Sequence, residues 1–139
     1  GALLAGASRR TLWQGVAALI GSLAAGAALG LTGFVLPASE WVIALSVLVA
    51  GVMLLRANTT RPALLVAGIA TFALFHGYAH GVEATGQTLA FVAAFLASSI
   101  AIVVTSMTVT MLVRQFAFRA VLGAGAAVTG FALLASLAA

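Results

Sequence analysis

The stretch "LAFVAAFLASSIAIVVTSMTVTMLV", Leu89 to Val113, runs without a single charged residue. As a helix rising ~1.5 Å per residue it is long enough to cross ~30 Å of hydrocarbon. Its apolar residues are continuous, whereas a barrel strand alternates over ~10 residues. Every backbone N–H and C=O must then be satisfied inside the segment, which leaves helix as the spanning form.

Similar runs lie on both sides of it. Towards the N-terminus, "EATGQ" reads as a turn and is preceded by an apolar span over about residues 62–82. Pro62 is well placed to open that span, because its missing N–H costs nothing at the first helical position. "RANTTRP" is the next turn, then a short span over about 38–57. Glu40, Trp41 and Arg56 fall at the interfaces of that span. "PAS" and Glu40 separate it from a span over about 12–36. Towards the C-terminus, "RQFAFR" leads into a span over about 120–138. The fourth span covers 88–113. Residues 1–8, "GALLAGAS", read as the inner end of a preceding helix. The expectation is an all-α polytopic bundle, one transmembrane domain over 1–139 with five complete spans.

Composition agrees. Of 139 residues, 64% are hydrophobic and 6% charged, and the mean hydropathy is +1.26. Soluble domains carry roughly 25% charged residues, so lipid has to be the main solvent. The net charge of +4 comes from six arginines, and in short loops these are topology signals rather than a nucleic-acid footprint. With alternating spans, Arg9, Arg10, Arg56, Arg61, Arg114 and Arg119 fall on one side, and Glu40 and Glu83 on the other. The positive-inside rule makes the arginine side cytoplasmic. There is no cysteine, which excludes disulfides and thiolate metal sites. There is no lysine for a phosphate-binding loop, so no nucleotide is expected.

Both histidines and one of the two acidic residues gather in "FALFHGYAHGVE", Phe72 to Glu83. His76, His80 and Glu83 project within a sector of roughly 60° on one helix face. Imidazoles one turn apart can share an ion, and Glu83 can ligate or orient one of them. Tyr78 offers a hydroxyl to the same cluster as an outer partner. His76 lies ~10 Å deeper than Glu83 at 1.5 Å per residue, and ionisable groups at such depth usually line a bundle interior or wet cavity. The competing reading makes the histidines interhelical hydrogen-bonding groups and Glu83 a solvated interface charge. Two histidines a turn apart cannot take opposite axial positions of one haem, so haem is not expected from this chain alone. With no aspartate and no serine beside either histidine in sequence, the chain does not read as an enzyme.

Gly26 with Gly30, and Gly77 with Gly81, have GxxxG spacing, which lets helix backbones approach closely. The hydroxyls Ser98, Ser99, Thr105, Ser106, Thr108 and Thr110 either line a conduit or bond back to their own helix. Met107 and Met111 share a face that suits either packing or a soft metal.

"FHGYAHGVE" resembles the second signature of the HupE/UreJ family: Phe-His-Gly, two variable residues, His-Gly, one variable residue, Glu. Phe75, His76, Gly77, His80, Gly81 and Glu83 match it in register. "GALGLTGFVLPASEWVIALSVLVAGVML" is similar to the family's second and third helices. The resemblance implies a small bacterial inner-membrane protein, encoded near hydrogenase or urease genes, of a kind proposed as secondary nickel or cobalt permeases. The family's other signature, a histidine, five residues, then Asp-His, has no counterpart here. Either a helix precedes Gly1 or this is a divergent member.

The expected function is thus secondary transport of a divalent transition metal, nickel by resemblance, through His76, His80 and Glu83. The alternative is an accessory subunit of a larger membrane complex. The expected partners are the lipid bilayer and the metal ion, with a homo-oligomer or larger complex left open and no nucleic acid.

Overall fold

The computed structural model describes residues 1–56, 61–84, 88–113 and 116–139. Arg114 and most of the expected turns "RANTTRP" and "EATGQ" lie outside the described residues. Among the described residues five helices form: α1 (Arg9–Leu31), α2 (Ser39–Leu55), α3 (Pro62–Glu83), α4 (Thr88–Val113) and α5 (Phe116–Ala138). There is no strand among the described residues. The fold is an all-α bundle. α1, α3, α4 and most of α5 are long and apolar enough to cross a membrane, and α2 is apolar but shorter.

The helix ends have local causes that hydropathy does not register. α1 begins at Arg9, ahead of the apolar run, because the Ser8 hydroxyl accepts the Thr11 N–H and caps it. It stops at Leu31, well before Leu36, although Phe34 to Leu36 are apolar. Gly33 takes φ +75°, a left-handed turn that glycine adopts without strain. α5 begins at Phe116, inside the "RQFAFR" stretch that reads as a loop in sequence. Residues 2–6 form turns, and Leu4 packs against Gly15, where an added Cβ would sit 2.7 Å from its Cδ2.

Two close helix pairs carry the bundle. On α1, an added Cβ at Gly26 would strike the Leu74 carbonyl, and one at Gly30 the Tyr78 carbonyl. On α3, Gly77 meets Leu23 and Gly81 meets Ala27 in the same way. Residue numbers rise together across this seam, so α1 and α3 run parallel. The second pair is antiparallel, since Gly51 of α2 meets Ala127 and Gly123 of α5, while Gly130 meets Leu48. Without a hydrophobic drive between helices in lipid, such backbone proximity supplies the dispersion energy of association. α4 packs only lightly, against α1, α3 and α5, and Thr110 is its one buried residue.

The bundle has a glutamate end and an arginine end. Glu40 and Glu83 line a shared cavity of about 410 Å³ between α2, α3 and α5. Arg119 lines a different cavity together with the starts of α1 and α3.

Candidate metal centre

The last two turns of α3 hold the site. His76 donates its Nδ1–H to the Phe72 carbonyl at 2.9 Å. A carbonyl only accepts, so this bond fixes the tautomer and leaves Nε2 with its lone pair. His80 places Nδ1 3.5 Å from Glu83 Oε2, a long contact whose side chains are 44% and 68% exposed. At that length and exposure it biases the ring more than it locks it. The His80 ring is also held from α4, where Phe95 stacks against it with centroids 4.3 Å apart and planes tilted by 40°.

His76 and His80 both line one large lateral cavity of about 720 Å³. Leu23 of α1, Met53 of α2, Phe72 of α3 and Phe95 and Ser99 of α4 complete much of its wall. The cavity exists because α4 stands off from α3, and its lining is mostly hydrocarbon. Two imidazoles are thus presented to a space of low polarity.

Glu83 belongs to a different wall. It lines the cavity at the glutamate end with Glu40 and Tyr78, and reaches the histidines only through His80. Among the described residues no three of His, Cys, Asp and Glu are gathered tightly enough to enclose one ion. Tyr78 is buried, and its hydroxyl is engaged by the α1–α2 connection. It donates to the Phe34 carbonyl and accepts the Leu36 N–H, both at 2.8 Å. Phe75 is partly buried, while Gly77 and Gly81 face α1 rather than the cavity.

The α4 hydroxyls go largely to their own helix: Ser98 and Ser99 donate to Phe95 O, Ser106 to Val103 O, Thr108 to Val104 O and Thr110 to Ser106 O. Met53 is in the cavity wall, and Met107 and Met111 are not. Phe95 and the Phe72 carbonyl are site components that sequence reasoning missed. Neither leaves a signal, since one is an apolar residue in an apolar helix and the other is backbone.

A model of the HupE/UreJ family, described as HupE / UreJ protein, matches residues 1–134. This chain belongs to the HupE/UreJ family. Protein HupE of Rhizobium leguminosarum bv. viciae is 36% identical to it over 95 residues, which cover 66% of this chain and 49% of that protein. The chain therefore spans about half the length of this curated relative. No solved structure matches it. The matched residues take in the whole of α3, the histidine-bearing helix.

Proposed function

We propose that this chain is the metal-handling membrane portion of a secondary carrier for a divalent transition metal, with nickel first and cobalt second. The observation that carries the reading is the pair His76 and His80. Each has its Nδ1 directed to an oxygen, Phe72 O and Glu83 Oε2, and both rings border one intramembrane cavity. Metal-bound histidines commonly have this arrangement, with the second nitrogen oriented by a carbonyl or carboxylate. Nitrogen-rich sites suit late divalent metals such as nickel, cobalt, copper and zinc. Nickel is preferred through the family resemblance. In this reading Glu83 orients the outer imidazole, and His80 and His76 take up the cation and pass it inward. The ion is cargo, no bond of a substrate is made or broken, and the chain is not an enzyme.

The membrane is the bacterial inner membrane, with the arginine end cytoplasmic and the glutamate end periplasmic, following the positive-inside rule. The test is uptake of radiolabelled nickel by cells producing the protein. His76→Ala and His80→Ala should each reduce uptake at least tenfold at equal protein yield. Unchanged uptake in both variants sinks the transport reading.

A second reading draws on α4, where Thr110 is the one buried residue and more than half of the residues are exposed. A partner chain lying on α4 would make this protein an accessory subunit of a larger membrane complex. Stoichiometric co-purification of another membrane protein, combined with normal uptake in the histidine variants, would favour it.

A further inference from the structure

α1, α3 and α5 all begin at the arginine end, and a cavity of about 350 Å³ opens between their first turns. Ser8, the N-cap, and Thr11 of α1, Pro62 and Leu65 of α3, Met53 of α2 and Arg119 of α5 are among its lining residues. The Ser8 and Thr11 hydroxyls are 2.9 Å apart, and Thr11 is buried. The Nε of Arg119 is buried and has no hydrogen-bond partner among the described residues. A buried guanidinium donor left unmade costs about 1–3 kcal/mol or more. The two acidic side chains of this sequence, Glu40 and Glu83, line the cavity at the opposite end. The start of α3 adds to the positive field, because no side chain caps it.

We propose that this cavity is a phosphate-binding site, with Arg119 as the anchoring cation and the Ser8 and Thr11 hydroxyls as further partners. A guanidinium fork matches the oxygens of a phosphate group. The position, at the boundary where helices enter the membrane, suits the phosphodiester of an anionic lipid headgroup. Free phosphate shares the chemistry and would need to reach the same place from water. The assignment does not depend on metal transport, since Ser8, Thr11 and Arg119 do not line the histidine cavity, although Met53 and Leu65 line both.

Thermal unfolding of the purified full chain in detergent tests it, with added phosphatidylglycerol, phosphatidylcholine or inorganic phosphate. Phosphatidylglycerol should raise the midpoint by about 4 °C, as expected for a ligand well above its Kd. Phosphatidylcholine should do much less. A rise with inorganic phosphate alone would identify the free anion as the occupant. Arg119→Gln should abolish the rise, Arg119→Lys should keep part of it, and Arg10→Gln, at an exposed arginine, should keep it all. If Arg119→Gln does not fold, Thr11→Val should still weaken the apparent affinity at least threefold. The proposal is overturned if the wild type responds to neither phosphatidylglycerol nor phosphate. It is equally overturned if Arg119→Gln or Thr11→Val responds like the wild type, or if Arg10→Gln loses the rise as fully as Arg119→Gln.

Discussion

The two sides of α3 differ as sharply as any two regions of the molecule. Towards α1 the helix presents Gly77 and Gly81, whose Cα atoms lie so near the facing backbone that not even a methyl group fits. Towards α4 it presents His76 and His80, and there the neighbour stands off far enough to leave a large cavity. Each histidine is followed directly by one of these glycines, and one residue is ~100° around a helix. The rigid contact and the chemical face are therefore adjacent by construction. The tight seam fixes the height and rotation of the imidazoles, while the loose side gives them room.

The largest effect should come from breaking the tight side. Gly77→Leu would drive a side chain into the Leu23 backbone. It should cost about 3 kcal/mol or more, since overpacking against backbone cannot relax by rotamer change. Gly21→Leu, on an exposed face of α1 with nothing within 4 Å, should cost nothing measurable. Comparable loss of folded protein in both variants would mean that the seam is not special.

Tyr78→Phe comes next, because it removes two hydrogen bonds that tie the α1–α2 connection to α3. A loss of about 1–2 kcal/mol is expected, read from detergent unfolding curves. On the loose side, Glu83→Gln should weaken metal binding only about threefold. That is less than the 10–100-fold typical of a well-made outer-partner bond, because the His80 contact is long and exposed. Isothermal titration with nickel would read it, and a tenfold or greater loss would make Glu83 a direct ligand. The smallest effect is reserved for Ser98→Ala. Its hydroxyl returns to Phe95 O at an exposed position, so stability should stay within about 0.5 kcal/mol.

The same contrast governs how much was legible beforehand. Long charge-free runs such as Leu89 to Val113 made helices and membrane the only economical reading, and "FHGYAHGVE" carried the family. Helix ends were less visible. Hydropathy extends α1 through Phe34 to Leu36, where the actual terminus depends on the backbone angle at Gly33. The i, i+4 spacing puts His76 and His80 on one face, and they border one cavity. What faces them could not be read, because Phe95 approaches from another helix and looks like any other membrane phenylalanine. Glycine spacing suggested close packing but not its partner. That Gly26 and Gly30 meet the face of α3 bearing Gly77 and Gly81 is a long-range fact. So is the commitment of Tyr78 to carbonyl and amide groups 42 to 44 residues away.

The pairing pattern has a consequence for biosynthesis. α1 can dock onto α3 as soon as Glu83 has left the ribosome, with the intervening α2 swung aside. α2 must wait until α5 arrives beside it. During that interval the face of α2 around Gly51 is without its α5 neighbour, so a nascent chain halted between Glu83 and Phe116 has one docked pair and an orphan.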